Sequence, residues 1–354
     1  MPRLATCITA YEPGGQSVVV EETSRRFADS YDIDLYCVRS AKPKPDWIKS
    51  IYHVKPWAHK YLPLVDEGFV EEIRGSEYDV IHCHDSLPFM NAFYTHGIDY
   101  YCTAHGNATW YYRDGLTQKI DGIASYLFYG PAYRKARKVA TTSEFVREWL
   151  DKVYGVEAVT IYWGADQERF HPLDKDPQNS RFPTLLYFGQ LSKRKGIWDL
   201  LRLVRQLKGE YPEILLNLGG FGQPEFIEKV ESYIAKKGLE DQIDLLGYIP
   251  DQEQLEYYNQ ADAVVFASYW EGFGLPIVEA YMCNKPIFVR DCSAMKELVR
   301  DPRFRFRDFQ GMVAGLEYFL SHGSEFEKDY SKSLDFNIFD WDHVATQYLE
   351  IFGK

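Results

Sequence analysis

Ser268-Tyr-Trp-Glu-Gly-Phe-Gly-Leu-Pro-Ile-Val-Glu-Ala-Tyr-Met-Cys283 is the stretch on which the reading of the chain turns. The apolar run before it, Ala263-Val264-Val265-Phe266-Ala267, predicts a buried strand. Glu271-Gly272-Phe273-Gly274 then predicts a turn, and Pro276 suits the first turn of a helix, where a missing N–H costs nothing. Ile277, Val278, Ala280 and Tyr281 give that helix an apolar face. Its first N–H groups point out of the turn, and such a terminus attracts anions and sugar hydroxyls. Glu271 precedes the helix and Glu279 lies within it. Taken singly, each reads more readily as a solvated carboxylate. Together, at the carboxyl end of a buried strand, they point to a ligand crevice.

Size and composition frame this stretch. A chain of 354 residues, 45% hydrophobic, holds two globular domains of ordinary size. The net charge of −12 argues against a nucleic-acid partner, which needs a basic face. No segment reaches the ~18 apolar residues that span a bilayer. Leu4 to Ala10 is too short for a signal segment and reads as a first strand, so a cytoplasmic location is expected. The six cysteines are scattered, without a Cys-x-x-Cys pair, and read as small buried hydrophobes instead of zinc ligands.

Strand, loop and helix alternate along the whole chain. Arg3 to Thr9 predicts a strand followed by a Gly14-Gly15 loop that is not a dinucleotide fingerprint. Ile33–Val38, Tyr78–His84 and Tyr101–Ala104 predict further strands. His82 and His84 fall on one face, with Cys83 opposite, and His105-Gly106 closes its strand where ligands bind. Trp110, Tyr111 and Tyr112 read either as packing aromatics or as a surface on which a sugar ring could stack. Arg134, Lys135, Arg137 and Lys138 form a basic run in a helix whose apolar side holds Leu127, Phe128, Tyr129 and Ala132. That run reads as a solvated helix end, or else as a docking patch for anionic lipid or a phosphorylated acceptor. Ser143 is a candidate N-cap for a helix from Glu144 to Tyr154, and Ala158–Tyr162 predicts a strand.

The polar stretch Asp174 to Ser180 marks a linker, after which the pattern restarts. Thr184–Phe188, Ile214–Leu218 and Lys285–Val289 predict strands. Lys193-Arg194-Lys195 stands just before a helix starting at Ile197, and reads either as an anion site, with cations beside free N–H groups, or as a solvated basic loop. Trp341, Val344, Tyr348 and Leu349 predict a last amphipathic helix.

Glu271-Gly-Phe-Gly-Leu-Pro-Ile-Val-Glu279-Ala280 resembles the signature of the retaining GT-B glycosyltransferases of family 4, the group 1 glycosyl transferases. The resemblance extends over essentially the whole chain, more tightly in the second half. It implies an α/β fold of two Rossmann-like parallel-sheet domains facing across a cleft. An acceptor-binding domain would span 1–172, and a nucleotide-sugar-binding domain 173–337, with a helix over about 338–354 crossing back to the first.

By the same resemblance, Glu271 holds donor-sugar hydroxyls and Glu279 the ribose diol. Gly272, Phe273, Gly274 and Leu275 face the sugar and diphosphate, while Gly247 and Tyr248 border the nucleobase. Thr103-Ala104-His105-Gly106 matches a motif whose histidine faces the transferred sugar, and Gly14 and Gly15 let the backbone approach acceptor or donor phosphate. Lys195 clamps the diphosphate. Gln190 stands where the family has a second clamping arginine, which points to Arg194 as the replacement charge. Trp163 replaces an asparagine, and Asn284, Ser293 and Ala294 stand where glycines are preferred, so a different local backbone is expected there.

The implied activity is transfer of a sugar from a nucleoside-diphosphate-sugar to a sugar, glycolipid or other acceptor hydroxyl, with retained anomeric configuration, in glycan or glycolipid biosynthesis. No cofactor or metal is implied. A peripheral site at the inner membrane face is compatible with the basic run. A GT-B-fold epimerase or phosphorylase is the alternative, as is a silent sugar-nucleotide binder, which Gln190 keeps open.

Overall fold

The computed structural model describes residues 1–57, 64–65, 67–106, 116–173, 182–323, 326 and 330–353. They divide into two compact units, Met1–Gly164 with Asn337–Lys354, and Ala165–Phe336.

The first unit runs β1 (Arg3–Tyr11), α1 (Gly15–Phe27), β2 (Asp32–Ser40), β3 (Ile48–His53), β4 (Pro56–Trp57), β5 (Leu64–Val65), α2 (Glu67–Gly75), β6 (Val80–His84), α3 (Leu87–Thr95), β7 (Tyr101–Ala104), α4 (Leu116–Lys135), β8 (Val139–Thr141), α5 (Glu144–Tyr154) and β9 (Val159–Thr160). Its main sheet has the order β3-β2-β1-β6-β7-β8-β9. All of its pairings are parallel. β6 and β7 are buried at every position, as expected when helices cover both faces of a parallel sheet. Ser143 caps α5 by accepting from the Val146 N–H at 3.2 Å, and Gly155 ends that helix at φ +62°. The last helix of the chain packs on α1 of this unit, with the Phe27 and Tyr348 rings edge-to-face at 6.5 Å.

The second unit runs β10 (Thr184–Phe188), α6 (Ile197–Leu207), β11 (Leu215–Gly219), α7 (Pro224–Lys237), β12 (Ile243–Gly247), α8 (Asp251–Gln260), β13 (Ala263–Phe266), α9 (Leu275–Met282), β14 (Ile287–Arg290), α10 (Met295–Leu298), β15 (Arg305–Phe306) and α11 (Phe309–Ser321). Its sheet has the parallel order β12-β11-β10-β13-β14-β15. The chain then returns to the first unit as α12 (Trp341–Phe352), which Asp340 caps by accepting from the Asp342 and His343 N–H groups at 2.9 Å.

Three sequence expectations change. α4 ends at Lys135, so Arg137 and Lys138 follow the helix instead of lying in it. Leu127 does not belong to a packed apolar side: it is 59% exposed, while Ala132 and Tyr133 carry the buried face. Asn284 and Ser293 do not reshape their turns, because both adopt φ above +50°, the left-handed conformation that glycine takes freely.

Candidate active site

In the second unit the strand order reverses between β10 and β13. Open α/β sheets bind ligands outside the carboxyl ends of their strands at such a switch point. The two loops leaving it are the basic segment after Phe188 and the acidic segment after Phe266.

Lys193–Lys195 form one 3₁₀ turn, closed by Gly196 at φ +73°. A Cβ on Gly196 would lie 2.2 Å from the Ala267 carbonyl oxygen, so only glycine lets this turn rest on the end of β13. The Tyr269 N–H donates to the Arg194 carbonyl at 2.9 Å and joins the two loops. Lys195 Nζ then reaches Glu271 Oε1 at 2.5 Å. Arg194 Nη1 lies 3.9 Å from Glu271 Oε2 and donates to the Trp270 carbonyl at 2.6 Å. The Glu271 N–H donates to Ser293 Oγ at 3.0 Å.

Glu271 is only 8% exposed. Burial alone pushes its pKa up, but Lys195 and Arg194 outweigh it and hold the carboxyl below its usual range. Burial draws the Lys195 ammonium below its ordinary value, against the pull of Glu271. The result is a charged pair in a poorly solvated place, where such charges interact strongly.

Gly274, at φ +118°, precedes α9 and offers no side-chain cap, and Pro276 lies in the helix's first turn. Glu279 sits one turn further and accepts from Tyr258 Oη of α8 at 2.6 Å. Burial, and then the negative Glu279, keep that phenol protonated and thus a donor. Gly247 and Tyr248 lie at the exposed end of β12, Tyr248 with 57% of its surface open. Gln190 is exposed, and its carbonyl accepts from Tyr187 Oη at 3.0 Å. Phe273 is buried, and Gly272 and Leu275 are half-buried.

The first unit has its own switch point, between β1 and β6. Thr9 Oγ1 and Ser86 Oγ bridge it at 2.8 Å. Gly14 precedes α1 at φ +153° and Gly15 opens the helix. His105 follows β7, buried, with Nε2 at 3.1 Å from His84 Nδ1. Asp85 accepts the His105 backbone N–H at 2.8 Å and the Tyr133 hydroxyl. His82 bonds Thr103 Oγ1 at 2.7 Å. Burial lowers the pKa of all three histidines, that of His84 to about 3, so all three are neutral near pH 7. His105 Nδ1 and His84 Nε2 have no hydrogen-bond partner among the described residues. Trp110 and Tyr111 lie outside the described residues.

Several contributors escaped the sequence reading. Tyr258, Ser293 and Asp85 each hold a predicted residue or its backbone in place, and Tyr133 holds Asp85. Asp199 and Arg290 left a faint signal: each is a charge amid apolar neighbours, on α6 and at the end of β14. Among the described residues no cluster of His, Cys, Asp or Glu is arranged to hold a metal ion. No described helix is long and apolar enough to cross a membrane.

Solved structures place this architecture among the GT-B glycosyltransferases. Sucrose-phosphate synthase from Thermosynechococcus elongatus matches with a TM-score of 0.81 at 19% identity, over 99% of this chain and 98% of that one. Anabaena HepE, solved with UDP-glucose, matches with a TM-score of 0.77 at 17% identity, over 99% of both chains. Family sequence models agree half by half: Glycosyltransferase Family 4 over residues 13–169 and Glycosyl transferases group 1 over residues 172–332. The chain therefore belongs to the group 1, family 4 glycosyltransferases, a class of enzymes that transfer sugars. Glycogen synthase of Mycobacterium tuberculosis is 23% identical over 77% of this chain and 68% of its own length. D-inositol 3-phosphate glycosyltransferase 1 of Catenulispora acidiphila is 26% identical over 82% and 77%. O-antigen chain mannosyltransferase B of Escherichia coli is 35% identical, over 33% of this chain and 30% of its own.

Proposed function

We propose that the second unit binds a nucleoside-diphosphate-sugar at the β10/β13 switch point, and that the enzyme passes the sugar to an acceptor hydroxyl with retention of anomeric configuration. The observation that carries this reading is the Lys195–Glu271 pair at 2.5 Å, buried beside the open start of α9. Cleavage of the glycosidic bond leaves negative charge on the departing diphosphate and positive charge on the sugar. Lys195, Arg194 and the first N–H groups of α9 stabilise the diphosphate; each well-placed donor in a dry site contributes about 2.7–4 kcal/mol. Glu271 keeps Lys195 in place and offers its remaining lone pairs to sugar hydroxyls, and Glu279 takes the ribose diol. The leaving phosphate accepts the acceptor's proton on the same face. Because protein groups supply the positive charge, turnover should survive EDTA. In the first unit, the neutral His105 orients a sugar hydroxyl, and the acceptor lies near Gly14. Relatives acting in glycogen and O-antigen chain synthesis support a glycan or sugar-derived acceptor.

Titration with UDP, GDP and ADP, followed by turnover of the corresponding sugar nucleotides, tests this. One nucleotide should bind and slow amide exchange around 189–196 and 271–279. Proton NMR of the first-formed product should show the donor's anomeric configuration. Protection elsewhere, or an inverted product, overturns the respective part. Epimerisation or phosphorolysis without transfer would support the alternative chemistry.

A further inference from the structure

The acidic loop of the second unit, Ala267 to Glu271, has no regular secondary structure yet is largely buried. Its backbone groups must therefore find partners in neighbouring segments. The Ala267 carbonyl accepts Arg290 Nε at 3.2 Å. Tyr269 N–H and the Trp270 carbonyl are both held by Arg194, through its carbonyl and guanidinium respectively. The Tyr269 side chain turns the other way. Its hydroxyl donates to Asp199 Oδ2 at 2.8 Å, and its ring lies 4.1 Å from the Arg290 guanidinium carbon. Arg290 Nη2 donates to the same Asp199 oxygen at 2.8 Å. Arg202 approaches the other carboxylate oxygen at 3.4 Å.

Asp199 and Arg290 are each 8% exposed. Buried ion pairs are seldom a cheap source of stability compared with apolar packing of similar volume. What this pair does hold is geometry. Asp199 lies in the first turn of α6, one helical turn beyond Lys195 and Gly196. Arg290 ends β14, just before Ser293, whose hydroxyl accepts the Glu271 N–H. The acidic loop is thus pinned from the α6 side and the β14 side through one shared carboxylate.

We propose that Asp199, Arg290 and Tyr269 are positioning residues for the donor site: they hold Glu271 in register with Lys195 without touching the donor themselves. The proposal rests on the donor-site reading above. A small displacement of this loop lengthens the Lys195–Glu271 contact and moves both groups off the diphosphate and sugar together. Misplacement of about 1 Å in a catalytic site can cost up to about 10²-fold in rate.

The test compares Tyr269→Phe, which removes one hydroxyl, with the double variant Asp199→Asn and Arg290→Gln, which removes both charges together. The readouts are melting temperature, affinity for whichever of UDP, GDP and ADP binds wild type best, kcat with its sugar conjugates, and the pH profile of kcat/KM. Positioning predicts that kcat falls about threefold in Tyr269→Phe and about tenfold or more in the double variant, while nucleotide affinity changes by less than about threefold. It also predicts that the acidic limb moves to higher pH, as Glu271 loses the closeness of Lys195 and Arg194. Lower melting temperatures with unchanged kcat and an unmoved acidic limb would reduce the network to a structural one and overturn the proposal. If the double variant does not fold, Tyr269→Phe decides by the same readouts. Lys195→Ala and Glu271→Gln run alongside. Normal turnover in those two means that the donor-site reading has failed; loss there with normal turnover in Tyr269→Phe and the double variant means that only the positioning has.

Discussion

Both sheets reverse their strand order, at β1/β6 in the first unit and at β10/β13 in the second, yet the two places carry opposite chemistry. The first is lined by hydroxyls and neutral imidazoles: Thr9 with Ser86, and His84 with His105. The second is ionised, with Lys195 and Arg194 facing Glu271. Burial accounts for both outcomes. At His105 burial and the neighbouring His84 favour the neutral ring, whereas a glutamate beside two cations keeps its charge. One repeated topology therefore offers a site suited to hydroxyl groups and a site suited to phosphate charge. That contrast supports the proposal that acceptor and donor bind to different units.

The strongest challenge to the contrast is at Lys195. Lys195→Ala should reduce turnover by about 10²–10³-fold. It should also destabilise the second unit by about 3–5 kcal/mol, since Glu271 is left charged and buried. Lys195→Met with Glu271→Gln should recover most of that stability, read by denaturant titration, and none of the turnover. Recovery of both would mean that the pair is merely structural.

Next in size is Glu279→Ala. Loss of a charged hydrogen-bond acceptor should weaken nucleotide binding by about 1.5–3 kcal/mol in calorimetry, with the fold intact. Unchanged affinity would remove the ribose contact.

Acid separates the two units directly. In the unfolded chain a histidine takes up a proton near pH 6.5, whereas folded His84 holds out to about pH 3. Between those values the unfolded state binds more protons, so stability falls as pH falls from 6.5. The loss is about 2 kcal/mol per such histidine by pH 5. Glu271 runs on a lower window: its depressed pKa contributes stability that is present above about 4.5 and lost only as pH falls through the folded value. Hydrogen exchange at about pH 5 should therefore open β6 and β7 before β10 and β13. The reverse order would break the contrast.

The smallest effect is expected from Tyr258→Phe. It removes one bond to the half-buried Glu279 and should cost about 1 kcal/mol of nucleotide affinity. A loss as large as that of Glu279→Ala would give Tyr258 a direct part in binding.

The elements of the second unit were largely legible, because their signals are local. Thr184–Phe188 is a strand bounded by a glycine, Ile197 starts a helix, and Pro276 lies in the first turn of α9. The resemblance implied only that Lys195 and Glu271 serve the same donor; their direct contact, across 76 positions, was not read from the sequence. In the supporting set, Tyr258 and Ser293 left no signal of their role, and Asp199 and Arg290 only the faint one of a charge amid apolar neighbours. Each acts through a partner brought near by strand order, and no local period records that. α4 misled for a related reason: apolar letters such as Leu127 promise burial, but which face is covered depends on the neighbours.

Gly196 ties the fates of two loops together. With the Ala267 oxygen occupying the space of its missing side chain, the basic turn and the acidic turn form a single mechanical joint. Neither can be lengthened, shifted or re-angled by itself. Retuning this enzyme toward a bulkier or differently charged donor would have to recast both turns in concert, or else work from the rim, at residues such as Gln190 and Tyr248 that project into solvent.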